Sequence, residues 1–140
     1  MSIFRAGGPA ALLLAFVALT ACSTRHVEQP AQEEAAGPPS QRGIASYYGA
    51  GFHGRRTASG ERFDRNAPTA AHPTLPLGTV ARVTNLETGR SETVTINDRG
   101  PYARGRVVDV SEGVARRLGM RQQGTAEVEV TPIAAPGQSQ

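Results

Sequence analysis

The chain lacks most of what would staple or ligate it. Cys22 is the only cysteine in 140 residues, so the part that folds has no internal disulfide and no thiolate metal cluster. Its stability must come from packing, and a domain of this size buries only about 60 to 65% of its unfolded surface. Long apolar runs are also missing. The stretch from Ala10 to Leu19 would cover only about 15 Å as a helix, half of a roughly 30 Å hydrocarbon core, which excludes a stable spanning helix. His53, His72 and Asp98 show no metal-ligand spacing such as His-Glu-x-x-His, so no metal and no cofactor is expected. No internal repeat is visible. Lysine is absent, and 15 arginines stand against 12 acids, with a net charge of +3 and a pI near 9.7. That is a mixed surface rather than a basic stripe, so no nucleic-acid partner is expected and an anionic polymer fits better.

What is present begins with a leader. Arg5, the uncharged run from Ala10 to Leu19, and the small residues before Cys22 form the three zones of a signal peptide over residues 1–21. Leu19-Thr20-Ala21-Cys22 resembles the bacterial lipobox, which implies cleavage before Cys22 and acylation of that cysteine, hence a membrane partner through a lipid anchor. Ser23 stands where an inner-membrane retention signal would have Asp. The expected location is the cell envelope, on the periplasmic face of the outer membrane.

Residues 22–42 hold one large apolar side chain, Val27, among prolines, alanines and acids, and read as a disordered tether reaching about 70 Å fully extended. Residues 134–140 read as a disordered tail. Between them, residues 43–133 alternate short β-branched runs with Gly and Pro, which predicts a mainly β domain. Strands are expected at Ile44–Tyr48, Thr79–Thr84, Glu92–Asn97, Arg106–Val110 and Ala126–Thr131, with a shorter extended piece at Thr69–His72. The loop from Leu86 to Arg90, with Gly89 available for a positive φ, predicts a hairpin between the second and third runs. One short helix is expected from Glu112 to Leu118, capped by Ser111 and stopped by Gly119, with Val114 and Leu118 on its inner face.

Several residues invite chemistry. Asp98 follows a strand in Asn97-Asp98-Arg99-Gly100-Pro101-Tyr102, although Asp before Gly-Pro is also a common turn residue. Asp109 lies among valines, where desolvation would raise a carboxyl pKa toward that of a general acid; the alternative is a carboxylate bonding backbone at the helix start. Tyr47 and Tyr48 are adjacent in a strand and should face opposite sides, leaving one free of the core. Tyr48 or Phe52 would serve as a stacking platform, and Tyr102 completes the aromatic set. Arg55, Arg56 and Arg99 are candidates to hold substrate polar groups.

Taken in order, Gly-Ile-Ala-Ser-Tyr-Tyr-Gly, Phe-His-Gly-Arg-Arg-Thr-Ala-Ser-Gly-Glu-Arg-Phe-Asp, Thr-Ala-Ala-His, Leu-Pro-Leu-Gly-Thr, Val-Thr-Asn, Asn-Asp-Arg-Gly-Pro and Val-Asp-Val-Ser resemble rare lipoprotein A across residues 43–133. The resemblance implies a six-stranded double-psi β-barrel with one short helix, related to the expansins. It also implies an endolytic lytic transglycosylase that acts on peptidoglycan glycan strands and leaves a 1,6-anhydro muramyl end. Asp98 lies in the motif that carries the family's functional aspartate and is the first choice for general acid, with Asp109 the rival. Glu61 and His72 fall on positions the resemblance marks as a second carboxylate and a hydrogen-bonding partner in the groove. Tyr48, Phe52, Arg99 and Tyr102 are expected to bind substrate.

Many members carry a C-terminal sporulation-related repeat that binds glycan, and no counterpart follows the last expected strand here. A preference for stripped glycan is therefore not expected to carry over automatically. The alternative is an expansin-like peptidoglycan binder that cuts nothing. A monomer is expected.

Overall fold

The computed structural model describes residues 38–138; the expected leader, Cys22 and the tether up to Gly37 lie outside them. Six strands form, β1 Gln41–Tyr47, β2 Thr69–Ala71, β3 Val80–Asn85, β4 Ser91–Asp98, β5 Arg106–Val110 and β6 Thr125–Ala134, with one helix, α1, over Glu112–Arg117. Two-residue periodicity explains why they close on each other. Ala81 and Val83 in β3, Val94 and Ile96 in β4, Val108 and Val110 in β5, and Val128 and Val130 in β6 all turn inward and are buried. Their neighbours Arg82, Thr93 and Glu127 face out. The strands close into a barrel in the order β1-β5-β2-β4-β3-β6, matching the six expected from the motifs. The pairs β1–β5 and β2–β4 are parallel and the other four antiparallel.

Two boundaries differ from expectation. β1 starts at Gln41, because Gln41 and Arg42 pair with Val130 and Glu129 despite their tether-like composition. β6 runs on to Ala134, which pairs with Val80, and a turn in which Gln138 N–H bonds the Ala135 carbonyl follows it. Cross-strand pairing adds backbone hydrogen bonds that side-chain pattern does not reveal.

The β3–β4 hairpin forms as expected, with Gly89 at φ +73° and its N–H on the Asn85 carbonyl at 2.8 Å. Asn85 is buried and ties the hairpin to the helix end, donating from Nδ2 to the Leu118 carbonyl at 2.9 Å. At the other end of α1 the Ser111 hydroxyl accepts from Val114 N–H at 3.3 Å and donates to the Ala67 carbonyl at 2.5 Å. Val114, Leu118 and Met120 then cap the barrel core.

Buried Glu112 meets three arginines, Arg65, Arg121 at 3.0 Å and Arg116 at 3.5 Å. Burial alone would push its carboxyl up. The Arg65 hydrogen bond, with the charges of Arg65, Arg121 and Arg116, outweighs this and holds it below the usual carboxylate range.

Three register shifts shape the barrel wall, one between β3 and β6 at Val80/Ala81 and two in the parallel pairs. Between β2 and β4, Ala70 pairs with Ile96 but Ala71 pairs with Asp98, so Asn97 is skipped. Between β1 and β5, Ile44 pairs with Arg106 but Ala45 pairs with Val108, so Val107 is skipped. Such bulges re-aim the side chains that follow them.

Candidate active site

Regular alternation from Val94 and Ile96 would send Asp98 into the core. The shift at Asn97 turns it out instead, level with Ala71. Ala71 also pairs with Asp109 on its other side, and Asp109 pairs with Ser46. Ser46, Asp109, Ala71 and Asp98 therefore form one row across four neighbouring strands. Two strand spacings put the two acids' Cα atoms about 10 Å apart. The shift at Val107 does similar work for Arg106. Residues three apart in a regular strand face opposite sides, yet here Arg106 and Asp109 share a face and form an ion pair, and both also contact the Ser46 hydroxyl.

Over this row lies the segment between β1 and β2. Its 54–63 stretch folds back on itself, with Gly54 N–H on the Phe63 carbonyl at 2.8 Å and Phe63 N–H on the Arg55 carbonyl at 2.7 Å. The tip docks on the end of β4, where Ser59 N–H donates to the Asn97 carbonyl at 3.0 Å and Ala58 N–H to Asp98 Oδ1 at 2.9 Å. An open groove of about 470 Å³ remains between this segment, the barrel wall and the Arg99–Tyr102 turn.

Asp98 is held by three donors. Oδ1 accepts from the N–H groups of Ala58 and Arg99, each at 2.9 Å, and Oδ2 accepts from the Tyr48 hydroxyl at 2.9 Å. Tyr48 sits just past β1, with its ring against Phe63 and Phe52 at centroid distances of 4.7 and 5.3 Å. Burial, then the hydrogen bond and charge of Asp98 and the charge of Asp109, push its phenol far above the ordinary range. It stays a neutral donor. Phe52 is the freer ring, 42% exposed, and Tyr102 stands out at the rim. Tyr47 also lines the groove, packs on the core and donates its hydroxyl to the Arg121 carbonyl at 3.2 Å.

The groove thus brings Asp98, Asp109, Tyr48, Phe52, Arg99 and Tyr102 together. Four details differ from the sequence-based expectation. Asp109 is not simply a carboxyl among valines, since those valines point into the core while its own side chain pairs with Arg106. Arg99 is committed to structure, with Nη1 donating to the carbonyls of His72 at 3.1 Å and Leu75 at 2.7 Å. Glu61 lies outside this groove in a separate depression, accepting from Asn97 Nδ2 at 3.3 Å.

His72 is fully buried and does not line the groove. Its Nδ1 accepts from Thr74 and Leu75 N–H at 3.2 and 3.0 Å, which leaves the proton on Nε2, facing Gln41 Oε1 at 3.1 Å. Burial, reinforced by the charge of Arg99, holds its pKa below the usual histidine value. It organises the loop that follows β2. Arg106, Ser46 and Phe63 escaped the sequence reading. Only Phe63 left a signal, as a lone large apolar residue in a polar segment.

Comparison with known proteins adds to this geometry. A family profile described as lytic transglycolase matches residues 40–130. The endolytic peptidoglycan transglycosylase RlpA of Neisseria meningitidis is 53% identical over 100 residues, covering 71% of this chain and 41% of that protein. The protein of the same name from Pseudomonas aeruginosa is 52% identical over 91 residues, covering 65% of this chain and 27% of that one. The chain therefore corresponds to well under half the length of these relatives.

Among solved structures, a Streptomyces papain inhibitor superposes with a TM-score of 0.56 at 20% identity, covering 69% of this chain and 96% of the inhibitor. A Clavibacter michiganensis expansin does so with 0.56 at 21%, covering 71% and 53%. At these identities the likeness is one of fold.

Proposed function

Because the chain belongs to the lytic transglycolase family of double-psi β-barrels, we propose that it cleaves the β-1,4 bond after N-acetylmuramic acid in peptidoglycan and leaves a 1,6-anhydro end. The observation that carries this reading is Asp98, half-buried in an open groove with every donor around it fixed. With Oδ1 occupied by two backbone amides, Oδ2 is the oxygen free to exchange a proton with substrate. As the acid it protonates the leaving glycosidic oxygen while the bond to the anomeric carbon breaks. The resulting carboxylate then takes the proton from the muramyl 6-hydroxyl as that oxygen closes on the anomeric carbon. The proton count balances and no water is consumed. Tyr48, neutral throughout, steadies Oδ2 in its ionised form. Asp109, its charge matched by Arg106 and its carboxylate bonded by Ser46, holds the groove wall beside it.

The test is incubation of purified protein with sacculi and mass analysis for 1,6-anhydromuramyl products. We expect release by the native chain and a loss of about 10²- to 10⁴-fold in Asp98→Asn, the usual worth of a general acid. Asp109→Asn should lose less. Binding to sacculi with no new ends at any pH would leave only an expansin-like binder. Acylation of Cys22, and through it residence on the outer membrane, is the companion proposal, supported by Leu19-Thr20-Ala21-Cys22 and by Ser23.

A further inference from the structure

We propose that Arg55 and Arg56 make the groove a carboxylate reader, so that the bound strand must carry an acidic group on or beside its muramyl sugar; this rests on the glycan-cleaving reading above and names the charge its substrate needs. Four arginines line the groove, Arg55, Arg56, Arg99 and Arg106, against two acids, Asp98 and Asp109. Two of the four are already committed. Arg106 is paired with Asp109, and Arg99 bridges two backbone carbonyls. Asp98 takes its hydrogen bonds from Tyr48 and backbone amides, with no cation paired to it among the described residues.

Arg55 and Arg56 are exposed and have no acidic partner among the described residues. Both are also oriented in advance. The Arg55 guanidinium lies over the Phe52 ring, 5.2 Å from its centroid, which leaves its in-plane N–H edge free. Arg56 is braced by Nη1 on the Gly60 carbonyl at 2.9 Å, and its backbone is bridged to Arg62. Two pre-placed forks beside an exposed aromatic ring suit a sugar bearing a carboxylate, because little side-chain freedom remains to be lost on binding.

Such a carboxylate has two sources on a muramyl strand. It is the lactyl acid itself when no peptide is attached, or the acids of an attached peptide.

The experiment measures dissociation constants by calorimetry for the full chain carrying Asp98→Asn, which prevents turnover. The ligands are a muramyl–N-acetylglucosamine tetrasaccharide with free lactyl acids, the same with acidic peptides attached, and the same with its lactyl acids capped as methylamides. At least one acidic ligand should bind about tenfold tighter than the neutral one, the effect of one charge-assisted hydrogen bond. The preference should shrink with added salt and vanish in Arg55→Gln/Arg56→Gln, with neutral-ligand affinity unchanged. Arg55→Lys/Arg56→Lys should keep part of it. The tighter acidic ligand identifies the source. Equal affinity for all three ligands, no binding of any, or Gln variants that weaken the neutral ligand as much as the acidic ones would overturn the proposal. Acid-selective binding without anhydro ends from native protein keeps it and removes the cleavage reading; anhydro ends without acid-selective binding do the reverse.

Discussion

Tyr48 donates its hydroxyl to Asp98 Oδ2 and packs its ring on Phe52 and Phe63, so substitution can separate its two roles. Tyr48→Phe keeps the ring contacts and removes the donor. A hydrogen bond to a charged group is worth roughly 1.5–3 kcal/mol, so anhydro-product formation should fall about 10- to 100-fold while the melting temperature stays nearly constant. A large fall in melting temperature would instead make Tyr48 a packing residue.

His72 asks for a different measurement. Its folded pKa lies below its unfolded value near 6.5, so the unfolded chain takes up a proton first as pH falls. Its contribution to stability is complete above about pH 6.5 and is lost as pH drops through the folded value. Urea unfolding should therefore show stability declining below about pH 6.5, and His72→Asn, which retains an acceptor for Thr74 and Leu75, should flatten that stretch. No residue type announces which way its ring points. His72 beside the groove motif and His72 buried behind it have the same sequence.

At the scale of elements, α1 shows why propensity is a weak guide. Gly113 lowers intrinsic helix stability, and alanine there would ordinarily add about 1 kcal/mol. In the fold, Gly113 N–H bonds the Arg65 carbonyl at 2.8 Å, and a Cβ at this position would lie 2.8 Å from the Asn66 carbonyl oxygen. Gly113→Ala should thus destabilise the protein by about 1–3 kcal/mol, measured by urea denaturation, and an increase in stability would disprove the close approach. Strands and helix were legible to within a few residues, because alternation in β4 and β6 and the Ser111 cap are local features. The bulges at Asn97 and Val107 were not. A skipped residue is a property of two paired strands, and neither strand alone records its partner's register.

For the whole molecule, a barrel with no edge and no disulfide is held by its core and by the Asn85 and Glu112 ties to α1. Anchoring rests on Cys22 alone in our proposal. Cys22→Ser should abolish palmitate labelling and move the protein to the soluble envelope fraction, with activity on isolated sacculi unchanged. Retention of label would end that proposal. The linear chain by itself determined the β class, the strand spacing, the helix cap and the motif order that carries the family resemblance, because these depend on composition and short-range periodicity. Only the tertiary structure decided that Asp98 and Asp109 share one outer row around Ala71, that Arg106 neutralises Asp109, that Tyr48 serves Asp98, and that His72 is turned away. The physical reason is register. One skipped residue in a parallel pair inverts every side chain beyond it, and that choice is made by the partner strand.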